Sequence, residues 1–129
     1  MEACVCHGIY AAGVQFDPVT IDGKTYEPSQ ANNFYIFPAV GMAIVATEAE
    51  HVPDEIFIAA AKATADQVTD EQLAKGMLFP EQADVQKVSH VTAVKSAEKI
   101  FELGLARIDK PESVDTLVTS LEYKPIYSE

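Results

Sequence analysis

Gln30-Ala31-Asn32-Asn33-Phe34-Tyr35-Ile36-Phe37-Pro38-Ala39-Val40-Gly41-Met42-Ala43-Ile44-Val45-Ala46 divides the chain into a strand-like part before it and a helical part after it. Nearly every side chain from Phe34 to Ala46 is apolar, so the run predicts a helix buried between other elements rather than one with a wet face. Pro38 stands where its fixed φ opens the main part of that helix. The amides of Asn32 and Asn33 just before it read, from spacing alone, as a turn followed by an N-cap. The run is too short for the ~20 apolar residues that cross a bilayer and contains a proline, so no membrane span is expected.

Upstream, Val19-Thr20-Ile21 and Lys24-Thr25-Tyr26 flank Asp22-Gly23. That two-residue pair suits a hairpin, because its turn needs positive φ and glycine tolerates it. Val5 to Ala12 is apolar with small residues and reads as a short buried strand, although pattern alone does not separate this from helix. Cys4 and Cys6 are the only cysteines. One residue apart, they would form a strained disulfide, so a reducing compartment is the simpler expectation. With His7 they make a Cys-Val-Cys-His cluster, but a closed zinc site needs a fourth ligand and no second cluster follows.

Downstream, Pro53-Asp54-Glu55 starts a second helix, with proline geometry and two carboxylates at the positive end of the dipole. Ile56, Ala60, Thr64 and Val68 then fall four apart on one face. Thr69-Asp70-Glu71-Gln72 has the form of a capping box and predicts a short helix to about Lys75, closed by Gly76. Leu78-Phe79-Pro80 interrupts the pattern. A longer helix is expected from about Asp84, with Val85, Val88, Val91, Val94, Ala97 and Phe101 facing inward and Gly104 ending it. The last, from Pro111 to about Tyr123, is opened by Pro, Glu and Ser. The residues themselves thus predict a mostly helical fold with one hairpin.

Composition narrows the function. The 129 residues are 48% hydrophobic and 22% charged, within globular values. Twenty carboxylates against 9 Lys and Arg give a formal charge of -11, a surface that repels nucleic acid and anionic lipid. The glycines, at 8, 13, 23, 41, 76 and 104, are too dispersed for a phosphate-cradling loop. No basic leader with an apolar core and cleavage site opens the chain. His51 and His90 read as surface or packing residues, since nothing in the sequence places a partner beside them. Glu48, Glu50, Asp54 and Glu55 read as solvated carboxylates near a helix start.

Three motifs in order carry a resemblance: Gly13-Val14-Gln15-Phe16-Asp17-Pro18-Val19, then Asp22-Gly23-Lys24, then Gln30-Ala31-Asn32-Asn33-Phe34-Tyr35-Ile36-Phe37-Pro38. They resemble the malic enzyme family, which reads G-S-P-F-x-P-V, a D/N-G-K hairpin and G-Q-[GA]-N-N-x-Y-I-F-P-G. Gln67-Val68-Thr69-Asp70-Glu71, Leu78-Phe79-Pro80 and Lys110-Pro111-Glu112 fit as well, so the resemblance covers about Ala11 to Tyr127. Val14-Gln15 stands where the family has Ser-Pro, and Ser29 and Ala39 where it has Gly.

The resemblance implies an α/β protein in which residues to about 32 end a Rossmann-like NAD(P)-binding domain. Residues 33 to 104 would supply helices of the malate-binding domain, and 105 to 129 a small C-terminal helical domain. It implies oxidative decarboxylation of malate to pyruvate and CO2, with NAD or NADP and with Mg or Mn polarising the C2 oxygen. Family members are dimers or tetramers, mitochondrial or cytoplasmic, and this stretch does not choose between compartments. The family's catalytic Lys and Tyr, metal carboxylates and substrate Arg are expected before this segment, so no catalytic or metal-ligating residue is assigned. Asn32 and Asn33 match the position where a family amide contacts the malate carboxylate, a role that suits N-H donors without a full charge. Gly13 matches the loop beside the cofactor. The competing expectation is a non-catalytic acidic helical interaction module acting on its own.

Overall fold

The computed structural model describes residues 9–122. Cys4, Cys6, His7 and Tyr127, on which sequence expectations fell, lie outside that range. Four short strands lead into the helices: β1 (Ala11–Ala12), β2 (Val19–Ile21), β3 (Lys24–Tyr26) and β4 (Ser29–Gln30). β2 and β3 form the expected antiparallel hairpin, with Val19 opposite Tyr26 and Ile21 opposite Lys24. Its turn residues Asp22 (φ 51°) and Gly23 (φ 78°) are both left-handed, the geometry that matches strand twist. Thr20 and Thr25 hydroxyls meet across the strands at 3.0 Å. The pairing not foreseen is β1 with β4, parallel, Ala11 against Ser29 and Ala12 against Gln30. Of the expected Val5 to Ala12 strand, only Ala11–Ala12 is strand among the described residues, and Ile9 and Tyr10 are exposed.

A 3-10 turn, Asn33–Tyr35, leads into α1 (Phe37–Thr47), with Pro38 in its first turn. The other helices are α2 (Asp54–Ala65), α3 (Asp70–Ala74), α4 (Val85–Glu102) and α5 (Val114–Leu121). Thr69 and Gln72 form the capping box in full, at 3.2 and 3.0 Å. The core lies where α1, α2 and α5 pack on α4, around Ala39, Ala43, Ile56, Ala60, Ala93, Ala97, Ile100 and Val118. Alanines at the crossings let the helix axes approach closely, and Ile56, Ile100 and Val118 fill the space left.

Two expectations about faces are corrected. Helix α1 is not buried all round: Ala39, Val40, Ala43 and Ala46 face the core, while Phe37 is 78% and Val45 67% exposed. Along α4 the buried stripe is Val88, Thr92, Ala93, Ser96, Ala97 and Ile100, not the valine series, and Val85, Val91, Val94 and Phe101 are only half-buried. Polar residues are tolerated there because each is satisfied. The Ser96 hydroxyl donates to the Thr92 carbonyl at 2.8 Å, Thr64 and Thr92 hydroxyls meet at 3.3 Å, and the Gln67 amide donates to the Val88 carbonyl and Thr92 hydroxyl.

Candidate functional site

The strand-to-helix junction brings the sequence-predicted residues together. Ala31 N-H donates to the Ala12 carbonyl at 2.7 Å, continuing the β1–β4 pairing, and the Gln30 side-chain amide donates to the Gly13 carbonyl at 3.0 Å. Gly13 is thereby tied two residues ahead of the Asn pair. A Cβ added at Gly13 would meet nothing within 4 Å, so the fold itself does not demand glycine there.

Asn32 caps the 3-10 turn: its Oδ1 accepts the Phe34 N-H at 3.2 Å, so its amide NH2 points away from the backbone it caps. Asn33 is exposed, and among the described residues its side chain makes no hydrogen bond. The spacing-based reading of an Asn turn and cap is therefore correct for Asn32. It leaves three polar ends, the NH2 of Asn32 and the NH2 and oxygen of Asn33, available to another molecule.

Tyr35 fixes this junction against the rest of the molecule. It is 1% exposed, its ring stacks on Phe79 at 5.4 Å, and its hydroxyl donates to the Pro80 carbonyl. Burial raises its pKa, so it stays a neutral donor and is committed to structure. Ser29 performs a related task at the end of β4. Its buried hydroxyl accepts the N-H groups of Leu78 and Phe79 at 2.7 and 3.3 Å, which holds the Leu78-Phe79-Pro80 loop beside the strands.

Two clefts border the junction. One of about 330 Å³ is lined by Gln15, Ser29, Gln30, Tyr35 and Pro80. The other, about 840 Å³ and more open, is lined by Phe34, Pro38, Met42, His90 and Glu122. Gln82 lines both, and its side-chain amide donates to the Gln15 side-chain oxygen Oε1 at 3.4 Å. Asn32 and Asn33 sit between the clefts in sequence and line neither.

Sequence reasoning missed His90. Its Nε2 lies 2.8 Å from Asp115 and its Nδ1 2.5 Å from Glu122, with the ring side chain 23% exposed. The hydrogen bond to Asp115 pushes its pKa up; burial opposes, and Glu122 adds to the rise. The partners lie 25 and 32 residues away, so no local pattern announces them. His51 is exposed near the start of α2. Glu48, Glu50, Asp54 and Glu55 are exposed too, and among the described residues no three His, Cys, Asp or Glu side chains gather as a metal group.

Residues 2–101 match the family described as malic enzyme, NAD binding domain. The chain belongs to that family. It is 45% identical over 120 residues to an NADP-dependent malic enzyme of Vitis vinifera, and 41% over 119 residues to one of Dictyostelium discoideum. A chloroplastic NADP-dependent malic enzyme of Flaveria trinervia is 42% identical over 120 residues. Each alignment covers 92% of this chain but only 20%, 22% and 18% of the respective relative, so the chain spans about a fifth of the malic enzymes it matches. The family is Rossmann-like, and this stretch of it is mostly helical, with the hairpin and the parallel pair at its start.

Proposed function

We propose that this chain is the part of an NADP-dependent malic enzyme that presents Asn32 and Asn33 to a carboxylate of malate. The observation that carries the reading is the paired amide at the end of a fixed strand-to-helix junction. Tyr35 and Ser29 hold that junction, and Asn32 spends its carbonyl oxygen on the cap while keeping its NH2. Amide donors suit this task because they pair with an anion without requiring a counter-charge.

The residues described do not fit the family's metal, since no carboxylate cluster is present among them, and no step is assigned to Mg or Mn here. Gly13 is placed beside the dinucleotide by resemblance, but its carbonyl is already engaged by Gln30. No chemistry is routed through the cofactor either. This chain's own contribution is to bind and orient substrate, with proton transfer and hydride acceptance falling to groups outside it. NADP is preferred to NAD because the relatives named above are NADP-dependent.

The domain division at about residues 32 and 104 belongs to the same proposal. The first boundary is supported by the change from strands to helices at Asn33; beyond the second, α5 packs on α4 in the same core. The whole enzyme would be a homo-oligomer, as family members are.

The test is a chimera in which residues 11–122 replace the matching segment of the Vitis vinifera enzyme. The chimera is expected to oxidise malate with NADP and a divalent metal. Removing an amide donor to a carboxylate should raise KM for malate roughly 10- to 100-fold, the worth of a hydrogen bond to a charged group. A folded chimera without activity would favour the non-catalytic interaction module.

A further inference from the structure

We infer that His90 is the pin of a proton-controlled latch between α4 and α5: it holds carboxylates from both ends of α5, and loss of one proton frees the end that walls the larger cleft.

Asp115 lies in the first turn of α5 and Glu122 is its C-terminal cap residue. Seven residues are two helical turns, so both side chains project from the same face. One imidazole meets both, through Nε2 to Asp115 and Nδ1 to Glu122. A neutral ring carries a single N-H, so one carboxylate would then face a nitrogen lone pair. Only the imidazolium satisfies the two partners together.

The other groups around the ring do not compete. From α4 itself, Lys87 lines the same cleft one turn earlier and, among the described residues, is the only other charged residue there besides Glu122. The 3-10 turn contributes Phe34, and α1 contributes Pro38 and Met42, none of which titrates.

The two ends of α5 are held unequally. At the start, Val114 is buried, Ser113 caps the Thr116 N-H, and the Asp115 carboxylate sits at the favourable positive end of the dipole. Farther along, Val118 is the last buried side chain; Leu121 is exposed, and the Glu122 carboxylate sits at the unfavourable negative end. A neutral His90 that keeps its N-H on Nε2, toward Asp115, thus leaves Glu122 without a hydrogen-bonded partner among the described residues while the start of α5 stays packed. Because Glu122 and His90 together border the 840 Å³ cleft with Phe34 and Met42, freeing Glu122 widens it. This holds whether or not Asn32 and Asn33 meet malate.

Amide hydrogen exchange of the 129-residue chain, followed by NMR from about pH 5.5 to about 8.5 around the range where imidazoles titrate, tests the latch. After correction for intrinsic exchange, protection of Val118 to Leu121 should fall roughly tenfold as pH rises, the worth of one charge-assisted hydrogen bond. The midpoint should coincide with that of the His90 ring protons, while α2 amides keep their protection. Glu122→Gln preserves size and should abolish the step and lower the His90 midpoint; Asp115→Asn should lower the midpoint as well. Protection of α5 that stays flat through the His90 titration, or a His90 midpoint unmoved by Glu122→Gln, would overturn the proposal.

Discussion

The Ser29 hydroxyl accepts the Leu78 N-H at 2.7 Å, across 49 residues of sequence, and so joins the strand end to the loop after α3. The same oxygen accepts the Phe79 N-H. Ser29→Ala should therefore destabilise the chain by about 1–3 kcal/mol, the cost of leaving part-buried donors unpaired. Ser29→Gly, the residue of the family pattern, should cost at least as much here. Urea unfolding followed by circular dichroism measures both; a change within error for both would show that water replaces the hydroxyl.

Ile100 is fully buried at the centre of the helical core. Truncation to Ala should cost about 2–5 kcal/mol through lost transfer energy and an incompletely collapsed cavity. Leu103→Ala, three residues on and 38% exposed, should cost under about 1 kcal/mol by the same unfolding measurement. Equal losses would mean that the core is not centred on α4.

Removing the capping hydroxyl by Thr69→Ala should cost about 1 kcal/mol, since Thr69 pairs with the Gln72 N-H and Gln72 in turn with the Thr69 N-H. The loss should appear first as faster exchange in α3, whose five residues have no buried side chain to hold them. Uniform faster exchange across all helices would contradict a local role.

The folded-state pKa of His90 lies above its ordinary value. Folding then binds a proton more tightly than the unfolded chain does, so the His90 contribution is fully present below an unfolded imidazole pKa of about 6.5. It is lost as pH rises through the folded value. The urea midpoint should fall over that window, and the fall should disappear in His90→Gln. A midpoint that climbs with pH across the same window in the native chain, but not in the variant, would reverse the sign.

Asn32 and Asn33 are separable in the malic enzyme chimera. Asn32→Asp keeps the oxygen that caps Phe34 but replaces the NH2 with a second carboxylate oxygen. It should leave stability within about 1 kcal/mol while raising KM for malate, by repulsion between like charges. Asn33→Ala removes no hydrogen bond within the described fold, so any rise in KM there reports substrate contact alone. Unchanged KM in both variants would remove the Asn pair from the substrate site.

What the sequence made legible was what local chemistry decides. Asp22-Gly23 specifies its turn, Thr69 and Gln72 their box, and Pro38 and Pro53 the points where helices open, because each acts within four residues. The family motif was readable for the same reason. The inward face of α4 was misjudged because Thr92 and Ser96 are polar in composition yet satisfied by Thr64, Gln67 and a backbone carbonyl once α2 packs against them. Tertiary pairing erased the polarity on which the pattern depended. His90 was opaque because Asp115 and Glu122 reach it only when α5 folds back. The β1–β4 pair has two residues per strand, too few to carry a periodicity.

That two-residue parallel pair has a practical consequence. A parallel ladder is ordinarily an interior object, covered on both faces and flanked by further strands. Among the described residues this one has a single partner on each strand, with exposed Ile9 and Tyr10 beside it. With no third strand among the described residues, the ladder can be extended by another copy of the chain. Turbidity of a preparation of the chain alone should rise with protein concentration, and a short peptide that adds to the ladder should lengthen its shelf life.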